Sequence, residues 1–393
     1  MTLGCLTTAD TAKSISIADF LCNGVALLRK IRPVAVPAVF AVVKFLITLL
    51  LIAAPSARAE DVLYLYNWNN YISEKTAARF EAWCGCKLKQ DYYSDNEEML
   101  AKLEAGATGY DVLVPTGNAV QTLIRKNELR AIDKARLGHL GNLDPVYVDA
   151  WYDRGNRYSI PYATTITLLG FNETKLQELG LPNDTWALIF EPKYLDKLKG
   201  RVTVLNSQRE LLAAALRYLG YSAQDAVPAH WLAARDLILR AKPYWATFSN
   251  STYIKELAIG NIWVAHGYSS DMFRAREDAR TAHRPFDIGF AIPREGAVLA
   301  VDSFVIHRAA RRPDLAHRFI DFMLQGENAA DVSNLIGAGN PNAAAAPYIR
   351  QEVRAEKGIF PDAAGGARLE MLRDLEPRQR RLMSRLWTEI KVR

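Results

Sequence analysis

This 393-residue chain lacks the short motifs that mark common hydrolases and nucleotide-binding enzymes. None of its six histidines stands in an H-E-x-x-H pattern, and neither a G-x-S-x-G nucleophile elbow nor a Walker A loop is present. Pairs of acidic residues could in principle serve a glycosidase, but no further motif supports that chemistry. These absences argue against an enzyme, and we expect neither a cofactor nor a metal site.

Long basic runs and long apolar runs are also missing. Without a basic run interleaved with aromatic residues, nothing indicates nucleic-acid binding. The apolar run at residues 45–54 is ten residues long, whereas a membrane-spanning helix needs roughly 20. Lys44 precedes this run, and the A-x-A cleavage pattern Ala57-Arg58-Ala59 follows it. This order predicts a cleaved signal segment over residues 1–59 rather than a retained anchor.

Residues 1–42 make the proposed signal segment unusually long. Initiation at Val43 would give a compact signal, so a true start near residue 43 is our hypothesis. Residues 1–59 contain six Lys or Arg and two Asp or Glu, so their removal lowers the formal net charge from +6 to +2. The remaining 334 residues are enough for about two domains with a large core.

Cysteine is scarce. Cys84 and Cys86 are the only two cysteines after residue 59, and they are spaced as Cys-Gly-Cys. In an oxidising compartment they could form a tight disulfide, or they could be two small buried thiols in a turn. A metal site would need further ligands, and no nearby His or Cys supplies them.

Short apolar runs alternate with amphipathic stretches from residue 62 onward, in a β-α-β-α-β order that argues for an α/β fold with a largely parallel sheet. In the first half, strands are predicted at residues 62–66, 87–93 and 110–114, with helices at 73–83, 96–105 and 117–126. Ser73 and Asn96 are the expected helix caps. In the second half, strands are predicted at 202–205 and 262–265, with helices at 210–219 and 251–258.

Two extended segments, residues 158–171 and 288–306, are predicted to cross between two lobes. The first lobe would comprise residues 60–162 and about 303–345, and the second about 163–302. Residues from about 346 to 393 are predicted to form carboxy-terminal helices, with Gly365-Gly366 as a break before the last one. Two lobes with two crossings would enclose a cleft.

Three acidic residues indicate what the cleft could bind. Glu210 follows one strand-like run, Asp271 follows another, and Asp302 lies inside the apolar run 301–306. An aspartate in an apolar strand is costly unless a positive group meets it. An aromatic and amide cluster occupies residues 66–71. Because carboxylates and aromatic faces together suit an organic ammonium ion, we predict a cation-binding cleft, with a polyamine as the preferred ligand.

Structural alternatives exist for most of these residues. Trp68 and Tyr71 could be ordinary core aromatics, and Glu210 could offset the charge of a helix amino terminus. Asp271 could cap the helix that follows it. Asp302 is the hardest to explain without a positive partner.

Several stretches resemble the bacterial periplasmic spermidine/putrescine-binding proteins, the solute receptors of polyamine ABC importers. Residues 66–72, Tyr-Asn-Trp-Asn-Asn-Tyr-Ile, are similar to the Tyr-Asn-Trp-Ser-Asp-Tyr-Ile opening of that family. Further segments match in order at residues 96–103, 109–115, 143–145, 160–162, 186–198, 216–220, 292–297 and 385–391. The likeness extends over nearly all of residues 60–393.

The resemblance implies a type II periplasmic-binding-protein fold, α/β, with two lobes that close around a linear polyamine. It implies location in the periplasm, a monomer, and delivery of the ligand to the permease and ATPase subunits of an ABC importer at the inner membrane. A receptor of the same fold for another cationic or amine solute, and a polyamine sensor, are the alternatives.

The resemblance also implies a set of ligand-binding residues: Trp68, Asn69, Asn70, Tyr71, Thr116, Glu210, Tyr268, Asp271 and Asp302. Some positions depart from the family pattern. Asn69-Asn70 replaces a pair that includes a carboxylate, Tyr268 replaces a tryptophan, and Ala300 replaces an aromatic residue. Three acids remain for two or three ammonium groups, and the reduced aromatic walls predict a roomier pocket or a bulkier amine.

Overall fold

The computed structural model describes residues 61–392, so the predicted signal segment, its cleavage site and the proposed start at Val43 lie outside the described residues. Within residues 61–392, eleven strands form a single mixed sheet. The strands are β1 (Val62–Trp68), β2 (Lys87–Tyr93), β3 (Val112–Leu113), β4 (Leu129–Arg130), β5 (Ser159–Asn172), β6 (Val202–Val204), β7 (Thr247–Phe248), β8 (Val264–Tyr268), β9 (Ile288–Ala291), β10 (Ala297–His307) and β11 (Leu369–Glu370).

Helices cover both faces of this sheet. The α-helices of the described residues are α1 (Glu74–Cys84), α2 (Asn96–Glu104), α3 (Gly117–Arg125), α4 (Glu173–Glu178), α5 (Ala187–Phe190), α6 (Pro192–Leu198), α7 (Gln208–Tyr218), α8 (Pro228–Ala241), α9 (Thr252–Ala258), α10 (Ser269–Thr281), α11 (Pro313–Met323), α12 (Gly326–Ile336), α13 (Gln351–Arg354), α14 (Ala363–Gly366) and α15 (Pro377–Val392). Short 3-10 segments occur at Lys134–Arg136, Leu140–Asn142, Pro145–Tyr147, Lys242–Tyr244 and Ala343–Tyr348. None of the helices within 61–392 is long and apolar enough to cross a membrane.

The sheet consists of two parallel groups of strands joined by two long strands. β1 pairs in parallel with β2 and β3, and β6 pairs in parallel with β7 and β8. Between these groups lie β5 and β10, which pair antiparallel with each other. We call the part around β1, β2 and β3 the first lobe, and the part around β6, β7 and β8 the second lobe.

The lobes have separate hydrophobic cores, and β5 contributes to both. Ile160 and Tyr162 pack in the first lobe, whereas Leu168 and Phe171 pack in the second. All fourteen residues of β5 are buried, as expected of a strand covered on both faces. The predicted first crossing is therefore confirmed as one continuous strand.

The second predicted crossing, residues 288–306, is wrong as a single segment. β9 pairs with the second-lobe end of β5, and only β10 runs between the lobes. The tight turn at 293–296 separates the two strands, because Gly296 adopts φ 96° and its N–H donates to the carbonyl of Pro293 at 2.9 Å. A sequence pattern of two apolar runs does not reveal which neighbour each run pairs with.

Most helix predictions agree with the structure to within two residues. Ser73 caps α1 by accepting a hydrogen bond from the Thr76 N–H at 3.1 Å, as predicted. The cap of α2 is Asp95 rather than Asn96, because the Asp95 carboxylate accepts from the Glu98 N–H at 2.7 Å. Asn96 lies inside the first turn, where its side chain is free to bond elsewhere.

The carboxy-terminal part of the chain contacts both lobes. Residues 369–376, which we call the strap, begin with β11, which pairs in parallel with β10. Asp374 of the strap then accepts a hydrogen bond from Thr122 of α3 at 2.9 Å and forms ion pairs with Arg125 of α3 and Arg380 of α15. The strap thus joins a first-lobe helix to the terminal helix.

The terminal helix α15 packs on the second lobe, where Met383, Leu386 and Ile390 are buried in its core. Gly365 and Gly366 end the short helix α14, so the helical structure stops there before α15 begins at Pro377, in agreement with the predicted break. Asp362 caps that helix by accepting from the Gly365 N–H at 2.9 Å.

Candidate functional site

A cavity of about 790 Å³ lies between the lobes, at the carboxyl ends of β1 and β3 and the amino ends of α7 and α10. This position is where open α/β sheets bind ligands. All nine residues predicted as ligand-binding line the cavity: Trp68, Asn69, Asn70, Tyr71, Thr116, Glu210, Tyr268, Asp271 and Asp302.

Asp302 forms the acidic centre of the first-lobe wall. It lies on β10 next to an irregularity in the pairing with β5, and only 3% of its surface is exposed. Its two carboxylate oxygens accept separate hydrogen bonds, from Thr116 Oγ1 at 2.7 Å and from the Tyr71 hydroxyl at 2.9 Å. Burial raises the pKa of this carboxyl to about 6, although both hydroxyls favour its charged form.

Asn96 orients the Thr116 hydroxyl group that donates a hydrogen bond to Asp302. Its side-chain amide donates to Thr116 Oγ1 at 3.1 Å and accepts from the Thr116 N–H at 3.2 Å. Thr116 stands at the cap position of α3 but makes no side-chain cap bond, so its hydroxyl is directed to Asp302 instead. The chain Asn96–Thr116–Asp302 therefore holds the carboxylate in one orientation.

Aromatic rings surround this carboxylate on the first-lobe side. The ring centroids of Trp68 and Tyr71 are 6.3 Å apart, and those of Trp68 and Tyr93 are 4.6 Å apart. Trp68 and Tyr71 are partly buried and also pack against the first-lobe core. Both residues therefore pack in the core, as the alternative holds, and also line the cavity, so their binding role stays a prediction.

Asp271 occupies the facing second-lobe wall. It lies in the first turn of α10 and accepts a hydrogen bond from the Tyr253 hydroxyl. Burial raises the pKa of Asp271 to about 6, as it does for Asp302. The alternative that Asp271 caps this helix is wrong, because Tyr268 holds the cap position and α10 begins at Ser269.

Glu210 is the third of the predicted acids that line the cavity. Its side chain accepts a hydrogen bond from Thr167 Oγ1 of β5 at 2.8 Å, and burial raises the pKa of its carboxyl. Glu210 lies in the first turn of α7, after the cap Ser207. Its negative charge is therefore also favourable to the positive end of the helix dipole, which is the structural alternative given above. That alternative does not account for its place in the cavity wall.

Within residues 61–392, none of these three acids has a cationic side chain in direct contact, although the neighbouring charge of Arg209 partly offsets that of Glu210. Within the part of the chain that the structure describes, neither Asp302, Asp271 nor Glu210 forms an ion pair with a Lys, Arg or His side chain. Buried carboxylates without a cationic partner are costly. The arrangement therefore suits a ligand that brings its own positive charges.

Asn69 and Asn70 lie at the exposed lip of the cavity, directly after β1. Asn70 adopts φ 61°, a left-handed conformation that asparagine tolerates better than most residues. Tyr268 lies opposite, on the second-lobe side, and burial raises the pKa of its hydroxyl well above the usual value.

Several cavity residues were missed in the sequence: Tyr93, Glu97, Trp151, Tyr152, Arg209 and Trp387. Tyr93 is the last residue of β2 and Glu97 lies at the start of the helix that follows, so the rule that ligands bind at carboxyl ends of parallel strands could have identified both. Trp387 belongs to α15, and no sequence signal places a terminal helix against the cavity. The aromatic residues among them add ring surface to a cavity in which Ala300 stands where the family pattern has an aromatic residue.

Two further predictions concern sites away from the cavity. Cys84 and Cys86 form a disulfide, which decides between the two alternatives for these cysteines. Among residues 61–392, no group of three or more His, Cys, Asp or Glu side chains is arranged to hold a metal ion.

Comparison with known proteins agrees with this geometry. The family model described as bacterial extracellular solute-binding protein matches residues 75–361. A putrescine/cadaverine-binding protein of Pseudomonas aeruginosa is 57% identical over 348 residues, which cover 88% of this chain and 98% of that protein. The putrescine-binding periplasmic protein PotF of Escherichia coli is 34% identical over 342 residues, covering 85% and 92% of the two chains.

Among solved structures, a putative spermidine/putrescine ABC transporter from Listeria monocytogenes has a TM-score of 0.76 and 31% identity, over 85% of this chain and 99% of that one. The two-lobe fold predicted from the sequence is confirmed, as is the family resemblance. The chain therefore belongs to the bacterial extracellular solute-binding protein family.

Proposed function

We propose that this protein captures a linear diamine of the putrescine and cadaverine type and delivers it to an ABC importer. The observation that carries the proposal is the pair Asp302 and Asp271, two unneutralised acids that line one cavity from opposite lobes. A diamine has one ammonium group for each acid. The 57% identical relative from Pseudomonas aeruginosa, named for putrescine and cadaverine, supports the same ligand class.

In this proposal, Asp302 binds one ammonium group and Asp271 the other, while Trp68, Tyr71 and Tyr268 pack along the carbon chain. Thr116 orients Asp302, Asn69 and Asn70 bind at the lip, and Glu210 adds negative potential. Hydrogen bonds to charged groups contribute roughly 1.5–3 kcal/mol each. Two such contacts supply about 3–6 kcal/mol, so binding in the micromolar range, about −8 kcal/mol, also requires the aromatic packing along the carbon chain.

Capture would begin on one lobe and end when the other closes over the ligand. The two long strands β5 and β10 are the hinge, because they alone join the sheet of one lobe to that of the other within residues 61–392. The closed protein, a monomer in the periplasm after removal of its signal segment, would then dock on the permease whose transport an ATPase drives. In this role it binds without catalysis.

Titration calorimetry of the chain from residue 60 onward tests the ligand class. We expect putrescine and cadaverine to bind with micromolar or lower Kd, and an uncharged diol of the same length not to bind. Small-angle scattering should show a smaller radius of gyration with the diamine. Absence of binding by any diamine would contradict the proposal.

A receptor for a different cationic solute is the second candidate. Asn69 and Asn70 stand where the family pattern includes a carboxylate, so one anchoring charge is absent from the lip. A thermal-shift panel of diamines, guanidine compounds and bulkier amines separates the candidates. A larger shift with a bulky or single-charged amine than with putrescine would favour the second.

A further inference from the structure

One guanidinium group stands among the acids of the cavity. Arg209 directly precedes Glu210 in the first turn of α7, and both residues line the cavity. Arg209 Nη2 donates to the backbone carbonyl of Arg373 in the strap at 2.7 Å. The neighbouring strap residues Met371 and Leu372 also line the cavity. Arg209 is therefore held at the part of the cavity that the strap bounds.

The position of Arg209 is unfavourable for the helix that carries it. A positive side chain in the first turn opposes the helix dipole, which prefers acidic residues there. In the described chain, no carboxylate oxygen lies within 4.0 Å of the Arg209 guanidinium nitrogens, so Arg209 forms no ion pair. Its charge interacts at longer range with Glu210 beside it and with Glu97 of the first lobe. Helix stability therefore does not explain this residue, whereas its place in the cavity does.

The charge balance of the cavity depends on this residue. Asp302, Asp271 and Glu210 could face three ammonium groups, which is the number in a triamine such as spermidine. Arg209 offsets part of the negative charge of Glu210 and of Glu97, which also lines the cavity, and leaves Asp302 and Asp271 to bind the ammonium groups of the ligand. A third ammonium group near Glu210 would also meet a fixed positive charge that cannot be deprotonated.

We propose that Arg209 is a specificity-determining residue that supplies one fixed positive charge inside the cleft and so favours diamines over triamines. This inference rests on the proposed function. It differs from a purely structural role, in which Arg209 would serve only to hold the strap through the Arg373 carbonyl.

Two substitutions separate charge from tethering. Arg209→Gln removes the charge but keeps an N–H donor for the Arg373 carbonyl, whereas Arg209→Lys keeps the charge. Calorimetry with putrescine, cadaverine and spermidine gives the ratio of triamine to diamine affinity. We expect Arg209→Gln to raise this ratio about tenfold, the size of one charge–charge contact in a partly buried site. Arg209→Lys should leave it within about twofold of the unmodified protein.

Arg284→Gln is the matched control, because Arg284 is exposed and lies outside the cavity lining. It makes the same charge change and should leave the ratio unaltered. Thermal unfolding of each variant checks that the fold is kept. A ratio unchanged in Arg209→Gln, or shifted equally in Arg209→Gln and Arg209→Lys, overturns the inference while the diamine function stands. Failure of the unmodified protein to bind any diamine overturns both.

Discussion

The two walls of the cleft present the same chemical group in different settings. On the first-lobe wall, Asp302 is held by two hydroxyls from separate elements, and Asn96 fixes one of them. On the second-lobe wall, Asp271 has a single hydroxyl partner, Tyr253, and stands in the first turn of a helix. Both carboxyls have a pKa of about 6 because both are buried. The first wall is therefore ordered in advance, whereas the second has more freedom to adjust during closure.

The largest expected effect comes from removing the charge of the ordered wall. Asp302→Asn keeps the side-chain shape but leaves one ammonium group unpaired in a buried site. We expect a loss of about 2–4 kcal/mol, or roughly 30- to 1,000-fold in Kd for putrescine, by calorimetry at pH 7.5. Asp314→Asn, on an exposed residue outside the cavity lining, is the control and should bind normally. Unchanged affinity in Asp302→Asn would remove this residue from the site.

A comparable effect should follow from acidification. Binding a cation favours the charged carboxylates, so protonation of Asp302 and Asp271 competes with the ligand below a pH of about 6. With each acid about nine-tenths protonated at pH 5, affinity should fall up to about 100-fold relative to pH 7.5. The plot of log affinity against pH should approach a slope of two, and a slope of one in either single Asn variant. A flat profile between pH 5 and 7.5 would contradict this.

The second wall should be less sensitive to substitution. We expect Asp271→Asn to cost about 1–2 kcal/mol, less than Asp302→Asn, because its less constrained surroundings can rearrange around the ligand. Calorimetry of the two variants side by side measures the difference. A larger loss at Asp271 than at Asp302 would reverse the comparison and identify the second lobe as the one that captures the ligand first.

The smallest effect concerns the protein without ligand. A carboxyl whose pKa is raised by folding from 3.8 to about 6 destabilises the folded state above pH 6, and this destabilisation disappears below the unfolded-state pKa. Asp302→Asn removes the buried charge but weakens the bonds from Thr116 and Tyr71. We expect a net gain of about 1–2 kcal/mol in unfolding free energy at pH 8. Urea unfolding at pH 8 and pH 4 tests it, because the gain should be absent at pH 4.

The sequence predicted the local elements of both lobes because their signals are local. Ser73 caps a helix, Lys87 begins a strand, and the run containing Asp302 is a strand, all as the side-chain patterns indicate. The cap at Asp95 was missed because Asn96 and Asp95 are both good caps, and the choice depends on Thr116, twenty residues away. Pairing of β9 with β5 likewise depends on long-range geometry.

The residues of the candidate site likewise fall into those that the sequence predicted and those that it did not. The acids were found because a carboxylate in or beside an apolar strand is conspicuous in the sequence. Arg209 and Trp387 were missed, since a basic residue on a helix and an aromatic residue on an amphipathic helix are ordinary features. Only the folded chain brings the strap and the terminal helix to the cavity.

The attachment of Asp374 to both α3 and α15 has a mechanical consequence. Two adjacent strands form a ribbon that can bend and can also rotate about its long axis. A further tether placed to one side of the ribbon resists that rotation more than the bending. The lobes should then open and shut along nearly one path, so that Asp302 and Asp271 return to the same alignment in each cycle.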